Sequence, residues 1–204
     1  MRSGKNWACG SDRKFLILRP RHSPHSGTEK DICPDSFLNK YISSMQKVYT
    51  RLHVGDESDC SPTGRDWTVV HACKFPCHRE AVGYRKSPRK SHPHYLSKED
   101  GNHLYLNMID PERPLFQMEM FEDFFSFAKR WSENEDRILI HCNQGRSRSP
   151  SLALLLLAAH TDEVPTGSYA EARQVFEELY PMYQPSGGIK SYLDDNWTEL
   201  LKLP

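Results

Sequence analysis

The chain has 204 residues, with 27 acidic and 27 basic side chains, which is the size and charge of one globular domain able to bury a real core. Its longest apolar stretch, Leu152 to Ala159, is too short to cross a bilayer, and no N-terminal apolar run has the form of a signal peptide. Six cysteines (Cys9, Cys33, Cys60, Cys73, Cys77 and Cys142) do not make a disulfide scaffold in a chain of this size, so a soluble, intracellular, cytoplasmic protein is expected, with the nucleus also open.

In chain order, residues 1–34 are polar and contain Pro, Gly and Ser, interrupted by Phe15 to Leu18; a tail or an added strand is expected there, ahead of one domain over 35–204. Phe37, Leu38, Tyr41, Ile42, Met45 and Val48 fall at helical spacing, and Tyr49 to Val54 reads as a strand ending at Gly55-Asp56. Trp67 to His71 is a second strand.

A basic loop follows over about 74–98, with Lys74, Arg79, Arg85, Lys86, Arg89, Lys90 and Lys98 against the single acid Glu80. Its length and its Lys-Ser-Pro-Arg-Lys-Ser-His-Pro run predict partial disorder, and its charge suits a polyanionic substrate as well as it suits a merely solvated insertion. His71, Cys73, Cys77 and His78 invite a zinc reading, but the spacing is not a finger pattern, so neither metal nor cofactor is expected.

His103 to Asn107 is strand-like and leads into a loop marked by Asp110, Pro111 and Pro114. Phe116, Met120, Phe124, Phe127, Ala128 and Trp131 then make one helical face that ends near Ser132 to Asp136. Past the central helix, Ser168-x-x-Glu171 has the form of a capping box opening a helix that Pro181 stops. Gln184 to Gly188 is a loop, and Ile189, Leu193, Trp197, Leu200 and Leu201 belong to the last helix.

The densest signal lies between Ile138 and Leu157: a short apolar strand, a tight loop with Cys142 at its head and Arg148 at its foot, then a leucine-rich helix. Ser149 is placed to cap that helix, with Pro150 in its first turn. A loop that curls so tightly into a helix N-terminus turns backbone N–H groups inward, and Gly145 permits the curl. The segment Asn143, Gln144, Gly145, Arg146, Ser147 and Arg148 is therefore the expected phosphate cradle, with the Arg148 guanidinium as a planar fork for two oxygens. The same surroundings are expected to favour a thiolate at Cys142, since reactive cysteines as a class fall from about 8.5 to roughly 3.5–7.5 near helix N-termini and basic side chains. A thiolate facing bound phosphate is a nucleophile for phosphoryl transfer, and the Ser149 hydroxyl can help the sulfur leave.

His141-Cys142-x5-Arg148-Ser149 resembles the signature of the cysteine-dependent protein tyrosine phosphatases, and Ser-Arg-Ser-Pro before a leucine-rich helix is most similar to the dual-specificity branch. That resemblance implies an α/β fold with a central, mostly parallel sheet of four to five strands flanked by helices on both faces. It implies a general acid on a separate loop, which Asp110 matches and for which Glu112 is the reserve. His141 is read as orienting the loop. Cys73 is a possible redox partner of Cys142, because similar phosphatases form such a disulfide. Where the family usually carries Pro-Asn, this chain has Pro185-Ser186.

The resemblance implies hydrolysis of phosphotyrosine and phosphoserine or phosphothreonine in protein partners through a cysteinyl-phosphate. Arg146 resembles the loops of phosphoinositide phosphatases, although Asn143 stands where those usually carry Lys; an RNA 5′-triphosphatase and a phosphopeptide-binding module without turnover complete the alternatives. Nucleic acid is not an expected partner, since no recognisable binding fold or aromatic platform accompanies the basic loop.

Overall fold

The computed structural model describes residues 45–62, 67–133 and 137–204. The tail expected over 1–34 and the helical segment from Phe37 to Ile42 lie outside the described residues, as do the side chain of Trp131 and residues 134–136.

A six-stranded sheet runs in the order β1-β2-β6-β3-β5-β4, built from β1 (Gln46–Tyr49), β2 (Leu52–Gly55), β3 (Trp67–His71), β4 (Ser97–Asp100), β5 (His103–Leu106) and β6 (Arg137–His141). The central strands β2, β6, β3 and β5 are mutually parallel, and β1 and β4 add antiparallel edges. That makes one more strand than the upper expectation of five. The expected strand Tyr49 to Val54 is in fact a tight hairpin, Gln46 opposite Val54 and Tyr49 opposite Leu52, so Met45 to Val48 do not continue a helix. An edge strand needs hydrogen bonds from one neighbour only, and a four-residue piece shows little alternation of its own.

Among the described residues five α-helices complete the fold: α1 (Arg79–Val82), α2 (Met118–Glu133), α3 (Arg148–His160), α4 (Tyr169–Leu179) and α5 (Gly187–Leu200). The α4 start is as expected, with the Glu171 N–H donating to Ser168 Oγ at 3.2 Å. The helix α3 is buried from Arg148 through Ala158, which explains why its sequence lacks a polar face. Its flanking residue is Ser147, not Ser149, and no side-chain cap bond closes it.

Among the described residues, the four long helices pack into one core with one face of the sheet, through Val54, Val70, Leu104, Ile138 and Ile140. The opposite face carries a small cluster of Trp67, Val69 and Leu139 with Met45 against it. The alternation of Ile138 and Ile140 with Leu139 is the period of two that sends successive side chains to opposite faces. No helix among the described residues is long and apolar enough to cross a membrane.

The basic segment is ordered, contrary to the expectation of partial disorder. The buried His78 ring bridges Tyr84 Oη (2.9 Å) and the His94 carbonyl (3.1 Å), Asn107 Nδ2 donates to the Tyr95 carbonyl at 2.7 Å, and Lys98 Nζ to that of Ala81 at 2.6 Å. Arg85, Lys86, Arg89 and Lys90 remain exposed on the outside of this frame.

Candidate functional site

Parallel strands leave their C-terminal ends on one edge, and that is where the loop between β6 and α3 sits. Gly145 has φ +67°, and a Cβ added there would press on the Gly55 carbonyl oxygen at 3.2 Å. The buried Tyr180 hydroxyl donates to the Gly145 carbonyl at 2.8 Å, and the Cys142 N–H donates to Gly55 O at 3.3 Å, so β2 and the end of α4 hold the loop from below.

Cys142 is buried, and Ser149 Oγ lies 3.2 Å from its sulfur and 3.3 Å from Gly55 O. One hydroxyl proton serves one of these acceptors at a time, so Ser149 can move its hydrogen bond onto the sulfur when that atom carries charge.

Arg148 is almost fully buried, and a buried guanidinium needs partners. Its Nη1 donates to the carbonyls of Ala72 (3.1 Å) and Met108 (2.9 Å), the chain just beyond β3 and β5, and its Nη2 donates to Asn143 Oδ1 at 2.8 Å. Its Nε–H has no hydrogen-bond acceptor among the described residues. Nε and Nη2 share the edge of the fork that takes an oxyanion in bidentate fashion.

Asp110 arrives from the loop after β5. Its Oδ1 accepts from Ser147 Oγ (2.8 Å) and Ser186 Oγ (2.6 Å), and its Oδ2 lies 3.8 Å from Arg148 Nε. Ser186 also donates its N–H to Ser147 Oγ at 3.0 Å. Ser186 thus links two catalytic-loop candidates, a role its sequence alone did not disclose beyond the Pro-Ser dipeptide. Gly188 supports the same loop, since its N–H donates to Pro111 O at 3.0 Å and a Cβ there would collide with the carbonyls of Pro111 and Arg113.

Asn143 braces the loop rather than projecting from it: Nδ2 donates to Phe75 O at 2.9 Å and lies 3.4 Å from Glu57 Oε2. Arg146 and Gln144 are exposed at the mouth, with Arg146 Nη1 3.4 Å from Gln184 Oε1. Gly55, Tyr180, Gln184 and Ser186 went unassigned from the sequence, and each acts through one or two hydrogen bonds that leave no periodic trace.

His141 is fully buried. Its Nε2 is 2.6 Å from His71 Nδ1, and His71 Nε2 is 2.9 Å from His103 Nδ1, a chain of three rings across β6, β3 and β5. Burial pushes His141 down to about 4 and His71 well below its usual value, where the neighbouring His141 and His103 rings add to the effect. His71, Cys77 and His141 offer atoms within 4.8 Å of one another. The two imidazole nitrogens at 2.6 Å are hydrogen-bonded, however, and sit closer than the roughly 3.3 Å that two nitrogens adopt around one tetrahedral ion with bonds of about 2.0 Å. His78, the fourth member of the zinc reading, faces Tyr84 and His94 instead.

Cys73 is buried, and a hydrogen bond with the Cys77 thiol lowers its pKa, against the opposing effect of burial. Cys60, Cys73, Cys77 and Cys142 form no disulfide with one another.

These rings predict acid lability. His78 and His141 both have folded-state values near 4, against 6.5 when unfolded, with burial the main cause. The unfolded chain therefore binds more protons between pH 6.5 and 4, and stability falls as the pH falls through that window. The expected loss from pH 7 to pH 5 is about 2 kcal/mol per ring. Urea unfolding should show it, and His78→Gln, which cannot titrate, should flatten the acid limb; an identical slope in the variant would count against this assignment.

No protein-family profile matches the sequence, and no curated protein matches it. Solved structures do share its fold. A leucine-rich-repeat and phosphatase-domain protein from Entamoeba histolytica is 13% identical with a TM-score of 0.54, the match covering 78% of this chain and 93% of that one. DUSP15 is 17% identical (TM-score 0.53; 78% and 92%), and the Cydia pomonella PTP-2 phosphatase is 18% identical (TM-score 0.52; 76% and 91%). The fold is that of the dual-specificity phosphatases.

Proposed function

We propose that this chain is a cysteine-dependent phosphatase that hydrolyses phosphotyrosine and phosphoserine or phosphothreonine in proteins. The observation that carries this reading is the meeting of Cys142, Arg148 and Asp110 at one strand edge, with Ser149 on the sulfur, Ser147 and Ser186 on the carboxylate, and the Arg148 Nε–H free of any described acceptor. A fold is not a function, so the shared fold supports the proposal only alongside these groups.

The Cys142 thiolate attacks phosphorus and the P–O bond to the substrate breaks. The departing oxygen takes a proton from Asp110, whose Oδ2 is the oxygen not occupied by serine hydroxyls. Arg148 holds two of the phosphoryl oxygens through the transfer. In the second step water attacks the cysteinyl-phosphate, returning a proton to Asp110. The sulfur leaves as a thiolate that Ser149 hydrogen-bonds, and phosphate departs.

The test is phosphate release by wild type and Asp110→Asn from a phosphotyrosine peptide, a phosphothreonine peptide, soluble phosphoinositide headgroups and triphosphate-ended RNA. Peptides are expected to be the better substrates. Asp110→Asn should slow the phosphothreonine peptide by about 10²–10⁴-fold, and an aryl phosphate with a good leaving group much less, because a good leaving group needs little protonation. Equal losses on both would remove Asp110 as the acid. Headgroups or RNA ahead by tenfold, about 1.4 kcal/mol of transition-state preference, would move the substrate away from protein.

A further inference from the structure

We propose that Phe75, Ile109, Leu115 and Met182 form an apolar rim that selects phosphorylated peptide segments carrying large apolar side chains beside the phosphoresidue. The inference rests on the phosphatase reading above and names the substrate that its site prefers.

Scattered exposed hydrophobic residues are ordinary on a protein surface. These four, 39–64% exposed, are the exposed large hydrophobics among the described residues. All four lie on three segments that flank the loop from Cys142 to Arg148. The Phe75 carbonyl accepts from Asn143 at 2.9 Å, and the Lys74 N–H donates to Met108 O at 2.8 Å, which ties the Phe75 segment to the chain entering Ile109 and Asp110. Leu115 lies on the loop that Asp110 opens. Met182 stands two residues before Gln184, whose N–H donates to Arg146 O at 2.7 Å.

The Arg79 guanidinium lies 4.1 Å from the Phe75 ring centroid, which steadies a ring that is still 56% exposed. An apolar side chain that stays in water costs free energy in the unbound protein, and that cost is recovered when a ligand covers it. Three flanking segments ask for a ligand that extends past the phosphate on more than one side. A peptide does this with residues before and after the phosphoresidue. An inositol headgroup brings only hydroxyls and further phosphates. An RNA end brings one base that can stack on Phe75 and nothing for Ile109, Leu115 and Met182.

The test measures dissociation constants by fluorescence anisotropy for the full chain carrying Cys142→Ser. The probes are two phosphotyrosine peptides of equal charge, one flanked by Leu and Phe and one by Ser and Gly, together with an inositol polyphosphate. The apolar peptide should bind tenfold or more tightly than the polar one, and Phe75→Ala with Leu115→Ser should cut that ratio below threefold. Equal affinities overturn the proposal, as does a ratio that survives the double substitution or a headgroup that outbinds both peptides. Because the substituted side chains are exposed, the fold is not at stake, and the ratio in the protein with its rim intact stands on its own. Phosphate release from a small aryl phosphate by wild type reports separately on the catalytic reading. Silence there overturns that reading, while the binding ratio still decides the rim.

Discussion

Exchange of Cys142 for serine is expected to lower phosphate release by about 10⁴-fold or more, over roughly 5 kcal/mol of transition-state stabilisation, and to leave phosphopeptide binding in place. The reason lies in what surrounds the sulfur. Ser149 Oγ at 3.2 Å is placed to hydrogen-bond a charged sulfur and to steady it as it departs, whereas a serine hydroxyl stays protonated near pH 7 and is a far weaker nucleophile. The adjacent His141 ring is tied to His71 and is not available to take that proton. The change is small in volume at a buried position, and Arg148, Asn143 and the loop backbone keep their bonds, so binding survives. Steady-state phosphate release and anisotropy on the same sample check both halves. Turnover within about 100-fold of wild type would contradict the nucleophile assignment.

Arg148→Lys is expected to lose about 10²–10³-fold in kcat/KM although the charge is retained. The guanidinium does several jobs from one plane: Nη1 fastens to the carbonyls of Ala72 and Met108, Nη2 holds Asn143, and the Nε edge faces Asp110 Oδ2 at 3.8 Å. A lysine ammonium is a point charge with tetrahedral donors and cannot hold two strand ends, Asn143 and two phosphoryl oxygens together. Whichever it abandons is left buried, at about 1–3 kcal/mol for each unsatisfied group, so the variant should also melt earlier. Kinetics at a temperature where circular dichroism shows a folded variant separate the two effects. A lysine variant with kcat/KM within threefold of wild type would mean that the fork is not used.

Local structure was written where the signal is continuous along the chain. The strand β3 has the expected bounds, Trp67 to His71, because it is a buried apolar run closed by polar residues. The unit from β6 through the loop to α3 was equally plain: apolar residues, a glycine where the backbone turns left-handed, an arginine at the helix start and a helix apolar all round. The N-cap at Ser168 is read the same way, since it and Glu171 lie within one turn, although the Glu171 carboxylate accepts from the Ser168 hydroxyl and so closes no reciprocal box. Short edge strands escaped because four residues with one neighbour carry little pattern, as β4 and the β1-β2 hairpin show.

The order of the basic segment was hidden for a different reason. Its Pro, Ser and Lys content reads as loose chain, but His78 and Asn107 pin it through bonds to residues 12 to 16 positions away. Composition reports on solvation and not on such pins.

The sequence by itself determined the chemistry on offer: a cysteine, an arginine and a phosphate-sized loop at a strand-to-helix turn, with an acid on another loop. The tertiary structure alone decided that Asp110 meets Ser147 and Ser186, that Ser147 and not Ser149 flanks the start of α3, and that His141, His71 and His103 join across three strands. Secondary structure follows from periodicity and turn residues within a few positions. Contacts such as these depend on which strands become neighbours, and that choice is made by burial of the whole sheet at once.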